Sequence, residues 1–135
     1  RVYNIDYEAL KGRKLLVVED NKINQMITRK ILEKNEMKCE VADNGEIAIE
    51  KVRFEPFDLV LMDIHMPGIS GIEATQKIRE FNKDLPILAL TAVTIDENID
   101  DFYLAGFNDI IPKPYKVEEF FFKIHNALKR KNVIL

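Results

Sequence analysis

The chain has no tryptophan, one cysteine, two histidines, five glycines and five prolines in 135 residues. A single cysteine excludes an internal disulfide, and a reducing, cytoplasmic setting fits best. Cys39 lies in the strand-like "MKCEVA" and is expected to pack as a small apolar group; a reactive thiol is the lesser reading, with no histidine or basic partner in evidence. Nor is there a surplus of positive charge: the formal net charge is -3, a poor start for a nucleic-acid binder. No apolar run reaches the roughly 18 residues that a membrane span requires. No signal-peptide core stands at the N-terminus. Repeats, internal linkers and low-complexity segments are also missing. What remains is ordinary for one globular domain, 47% hydrophobic and 32% charged.

The first residue is Arg1, not Met, and "RVYNIDYEALKG" precedes the first strand-like run. Residues 1–12 therefore read as a linker stub from an excised piece of a longer polypeptide, though processing would account for them equally well. Residues 13–131 read as the domain and residues 132–135 as a tail.

Short apolar runs then alternate with longer amphipathic ones. Strands are expected at "KLLVV" (14–18), "KCEVA" (38–42), "DLVLM" (58–62), "PILALT" (86–91) and "NDII" (108–111). Helices are expected at 23–35, 45–54, 71–81, 95–105 and 116–131. In the first helix Ile23, Ile27 and Ile31 recur at i, i+4, i+8 and share one face. Gly106 supplies a natural stop for the fourth. The basic end of the last helix, Lys129 to Lys131, suits the negative end of the helix dipole and reads as that rather than as a nucleic-acid patch. Five β–α units imply a parallel sheet with helices on both faces. Right-handed crossovers bring the C-terminal ends of all strands to one edge, where such folds bind ligands.

The residues at that edge form the candidate site. Glu19 and Asp20 follow the first strand, Asp63 the third, Thr91 and Ala92 the fourth, and Pro112, Lys113 and Pro114 the fifth. If the first and third strands are neighbours, about 4.8 Å apart, their terminal carboxylates repel strongly. A Mg²⁺ ion, which takes oxygen ligands, relieves that repulsion, as does the ammonium of Lys113. Taken singly, each acid reads as a helix N-cap and Lys113 as a surface charge. The convergence of the whole set favours a site. Its chemistry suits phosphoryl transfer, with a carboxylate nucleophile, a metal and lysine to balance charge, and a hydroxyl and the 66–70 loop amides to hold oxygens.

"LLVVEDN", "DLVLMDIHMPGISGIEATQKIR", "PILALTA" and "AGFNDIIPKPY", in this order and spacing, resemble a receiver domain of two-component signalling over residues 13–131. The resemblance implies a flavodoxin-like (βα)5 three-layer sandwich with a parallel sheet of order 2-1-3-4-5. It implies that Asp63 is the phosphoacceptor, taking a phosphoryl group from a phosphohistidine on a histidine kinase or histidine phosphotransfer domain. Asp20 would be a direct Mg²⁺ ligand, Glu19 would act through water, and Asp63 and the backbone carbonyl of His65 would complete the metal set. Thr91 would hydrogen-bond the phosphoryl group and Lys113 would pair with one of its oxygens, across a cis bond to Pro114. The family's usual aromatic three residues before the lysine is replaced by Ile110, which implies a weaker or different switch. The His65 side chain reads equally as a modulator of water access or as a solvated loop residue.

"VEDNKINQMI" and "ILEKN" look most like receivers of hybrid histidine kinases, with a stand-alone response regulator as the alternative. The parent chain would then be a phosphotransferase, with membrane anchoring left open, while this domain would accept a phosphoryl group and lose it slowly by itself. Neither nucleic acid nor membrane contact is expected of it. The fourth helix, fifth strand and fifth helix are the expected partner or homodimer face, with Ile95, Tyr103, Leu104 and Ile110 as candidates. Three other classes fit less well. A flavodoxin needs a phosphate loop where acids stand in "EDNKIN". A haloacid-dehalogenase-type phosphatase needs a second acid where His65 stands. A degenerate, binding-only receiver would lack an acid or the lysine.

Overall fold

The computed structural model describes residues 3–92 and 99–131. Five strands, β1 (Lys14–Val18), β2 (Lys38–Ala42), β3 (Leu59–Asp63), β4 (Ile87–Thr91) and β5 (Asp109–Pro112), alternate with α1 (Lys22–Lys34), α2 (Gly45–Phe54), α3 (Gly71–Arg79), α4 (Ile99–Ala105) and α5 (Val117–Lys131). All pairings are parallel and the sheet order is β2-β1-β3-β4-β5, as expected. The expected helix at 95–105 is seen from Ile99; residues 95–98, including Ile95, lie outside the described residues.

The first three helices start at a capping side chain. Asn21, Asn44 and Ser70 cap α1, α2 and α3, their side chains accepting from the Asn24, Ile47 and Glu73 amides. Every residue of β3 and β4 is buried, which is why "LVLM" and "ILAL" show no alternation. Edge strand β2 is only partly covered. The core has two halves, one on each face of the sheet. One gathers Leu16, Val60, Met62, Ile78 and Phe102, the other Leu15, Leu59, Leu61, Phe120 and Phe121.

Two places depart from the sequence reading. The Ile23/Ile27/Ile31 face of α1 is only partly its core face: Ile31 is half-buried against the core, but Ile23 is 63% and Ile27 47% exposed, while Gln25, Thr28 and Leu32 are buried. Polar Gln25 and Thr28 are tolerated inside because each finds a partner, the Glu19 carbonyl and the Tyr115 hydroxyl respectively. Residues 3–12 are packed against the domain. Tyr7–Leu10 forms a 3-10 turn, Leu10 is fully buried, and Tyr3 and Tyr7 lie against Phe122 and Phe121 with ring centroids 4.8 and 5.8 Å apart.

Candidate functional site

The register of β1 against β3 sets Val18 beside Met62, so Glu19 and Asp63 emerge side by side at the C-terminal edge. Asp20 follows at a bend. Glu19, Asp20 and Asp63 each offer a carboxylate oxygen within 4.8 Å of the others. Glu19 and Asp63 are buried and Asp20 is exposed, so the cluster opens to solvent on one side.

Lys113 reaches this cluster from β5. Its Nζ lies 2.9 Å from Glu19 Oε1 and 3.5 Å from Asp63 Oδ2. The Lys113 amide donates to the Thr91 carbonyl at 2.8 Å, which ties the lysine to the end of β4. Thr91 itself is 1% exposed. The Lys113–Pro114 bond is cis, as the resemblance implies. His65 is exposed, and its amide donates to Asp63 Oδ1 at 3.3 Å. The edge therefore brings together Glu19, Asp20, Asp63, Thr91, Lys113 and the His65 backbone.

Charge in this site is out of balance. Burial, and then the hydrogen bond shared with Glu19, push the Asp63 carboxyl up to about 6 against the pull of Lys113. Burial pushes Glu19 up as well, but the Lys113 ammonium, the Asn21 amide and Asp63 outweigh it and hold Glu19 below its ordinary value. Of the two, Asp63 is the one that takes up a proton first as pH falls. Burial acts to lower Lys113, and its bond to Glu19 and the nearby charges win and raise it. Among the described residues one ammonium, that of Lys113, faces the cluster of three acidic side chains, so the site has room for more positive charge. Clustered hard oxygens in a half-open cleft fit Mg²⁺ well.

The 64–70 loop is held tightly at its far end. A Cβ on Gly71 would stand 2.1 Å from the Asp63 carbonyl oxygen, so only glycine fits there. Gly71 also donates to the Ile64 carbonyl at 3.0 Å. In the sequence Gly71 is read only as the first residue of the expected helix 71–81. Gln25, which holds the Glu19 backbone, had no signal, since it sits on a helix with the wrong expected face.

A cleft of about 320 Å³ adjoins the site, lined by Ile27, Thr28, Ala92, Lys113, Pro114 and Tyr115. A larger one, about 510 Å³, lies at the opposite edge beside Pro86 and Asn108, far from any of these groups. Ile110, a candidate for the partner face, is 2% exposed and packs in the core with Phe102 and Phe107. Tyr103 and Leu104, at 46% and 84% exposed, remain on the surface.

A parallel sheet of order 2-1-3-4-5 with acids at the β1 and β3 ends and a lysine at β5 defines a class of phosphoryl-accepting signalling domains. The response regulator receiver domain model matches residues 15–125, and the chain belongs to that family. It is 42% identical over 110 residues to the autoinducer 2 sensor kinase/phosphatase LuxQ of Vibrio vulnificus, covering 81% of this chain and 13% of that protein. It is 37% identical over 115 residues to the two-component response regulator ORR41 of Oryza sativa subsp. japonica, covering 82% of this chain and 91% of that one. Among solved structures, the receiver domain of sensor histidine kinase PA1611 from Pseudomonas aeruginosa PAO1, with magnesium coordinated in its active-site cleft, superposes with a TM-score of 0.81. That match has 29% identity and covers 87% of this chain and 98% of that one. The chain thus spans about an eighth of the sensor kinase and nearly all of the plant regulator. None of the helices among the described residues is long and apolar enough to cross a membrane.

Proposed function

We propose that Asp63 is the phosphoacceptor of a Mg²⁺-dependent phosphorelay step, fed by a phosphohistidine on a histidine kinase or histidine phosphotransfer domain. The observation that carries this is the convergence of Glu19, Asp20 and Asp63 oxygens within 4.8 Å, with Lys113 as their nearest cation. Asp20 and Asp63 would ligate the ion directly, with the His65 carbonyl, and Glu19 through water. When bound, Mg²⁺ neutralises and orients the phosphoryl oxygens.

An oxygen of ionised Asp63 bonds to phosphorus as the bond from phosphorus to the donor imidazole nitrogen breaks. The imidazole leaves with that electron pair, and Asp63 becomes an acyl phosphate. Lys113 exchanges part of its contact with Glu19 for a phosphoryl oxygen, and the Thr91 hydroxyl donates to another. Water then removes the phosphoryl group slowly, with exposed His65 at the mouth of the site. With Ile110 locked in the core, no aromatic ring swings there, so the conformational response runs by another route.

Residues 13–131 would form this unit within a hybrid histidine kinase, on the cytoplasmic side. The near-complete match to the plant regulator supports the alternative of a stand-alone response regulator. The exposed Tyr103 and Leu104 of α4 support a partner or homodimer face from α4 to α5.

Intact mass after incubation with a small phosphodonor tests the proposal. One phosphoryl group gained with Mg²⁺, and none with EDTA or in Asp63→Asn, is expected. No gain in wild type at saturating Mg²⁺ refutes the reading and leaves a binding-only domain.

A further inference from the structure

We propose that Gln25 is a positioning residue for the metal site: its amide holds the turn at Glu19 and Asp20 in the shape that sends two successive carboxylates toward Asp63. The inference rests on the receiver reading above.

Successive side chains on a strand point to opposite faces. Glu19 and Asp20 are successive, yet their carboxylate oxygens lie within 4.8 Å of each other and of Asp63. The backbone must therefore leave the pleat at this point, and it bends at Asp20. The Glu19 amide still follows the ladder, donating to the Ala42 carbonyl at 3.1 Å. Among the described residues no backbone amide meets the Glu19 carbonyl. The Gln25 side chain donates to it instead.

Gln25 sits one turn into α1 and is 8% exposed. Its amide nitrogen makes a second bond, 2.7 Å long, to Asp43 Oδ1 just beyond β2. Asp43 is held in turn by Lys22 at 2.9 Å. One buried amide thus links the ends of β1 and β2 behind the acids without touching Asp63 or Lys113. A polar group in that place costs stability unless both bonds are made, so its orientation is fixed. Removal of such an outer support typically weakens metal binding by about 10–100-fold. Because Gln25 acts through the backbone of Glu19, we expect the low end of that range.

The test is Gln25→Met, which keeps length and loses the amide. Mg²⁺ binding by calorimetry is expected to weaken about tenfold. The Mg²⁺ concentration for half-maximal phosphorylation of Asp63 should rise by the same factor, while the rate at saturating Mg²⁺ stays close to wild type. Leu32→Val, a buried change on the same helix away from Glu19, should leave Mg²⁺ affinity unchanged. Asp43→Ala, at a half-exposed carboxylate, removes the second anchor of the same amide without opening the core and should weaken Mg²⁺ binding in the same direction. Unaltered affinity in Gln25→Met or Asp43→Ala, or a loss in Gln25→Met no larger than in Leu32→Val, overturns the proposal. A wild type that binds no Mg²⁺ and takes no phosphoryl group overturns the phosphoacceptor reading and this inference with it.

Discussion

Replacing Asp63 with Asn is expected to stabilise the metal-free protein, and to do so only above acidic pH. Asp63 is 6% exposed, faces Glu19, and holds its proton up to about pH 6 rather than 3.8. The folded state therefore binds that proton more tightly than the unfolded state does. Stability from this group is fully present below pH 3.8 and is lost as pH rises through about 6. At about 1.4 kcal/mol per pH decade, ionised Asp63 costs the fold up to about 3 kcal/mol at neutral pH. An amide of the same shape does not ionise. The assay is urea denaturation of both proteins in EDTA between pH 4 and 8. Asp63→Asn should match wild type near pH 4 and gain about 1–3 kcal/mol by pH 7. Glu19 runs the opposite way, its stabilising effect fading as pH falls, but it is present in both proteins and largely drops out of the difference. With Mg²⁺ the order should shrink or reverse, since the ion stabilises the wild type by binding the folded state. A gain that does not vary with pH, or a variant less stable than wild type at pH 7 in EDTA, would refute the reasoning.

Further changes probe the fold around the site. Leu10→Ala removes a fully buried side chain contributed by the leader and should cost about 2–5 kcal/mol in urea denaturation; a loss below 1 kcal/mol would mean that the leader is not docked in solution. Gly71→Ala drives a Cβ into the Asp63 carbonyl, and with backbone on the other side it should cost about 3 kcal/mol and slow Asp63 phosphorylation. Cys39, pushed up to about 11 first by burial, should react with iodoacetamide at pH 8 about 100-fold more slowly than an ordinary thiol. Arg79 binds the Gly106 carbonyl and Asn108 Oδ1 at 2.9 and 2.8 Å, so Arg79→Lys, lacking the planar fork, should lower the melting temperature nearly as far as Arg79→Ala.

The strands and the site were legible for the same reason. Runs buried on both faces, such as Leu59 to Met62, end at a charged residue, and a parallel sheet gathers those ends on one edge. The β–α alternation alone placed Glu19, Asp63 and Lys113 on one edge; that β1 lies beside β3 was implied by the receiver resemblance and is seen in the sheet order. The face of α1 could not be placed in this way. Its isoleucines repeat with helical period, but the buried face carries Gln25 and Thr28, whose partners, the Glu19 carbonyl and Tyr115, are distant in sequence or belong to the backbone. Periodicity records apolar side chains and is blind to polar ones that are satisfied inside. The docking of Leu10 was hidden likewise, because one leucine among mixed residues carries no period.

The most direct test of the central claim locates the phosphoryl group. The protein is phosphorylated by a small phosphodonor with Mg²⁺ and then reduced with borohydride, which converts an aspartyl phosphate to homoserine. Tandem mass spectrometry of the peptides should find homoserine at position 63 and nowhere else. Homoserine at 20, or an unmodified position 63 in protein that has gained a phosphoryl group, would contradict the assignment of Asp63.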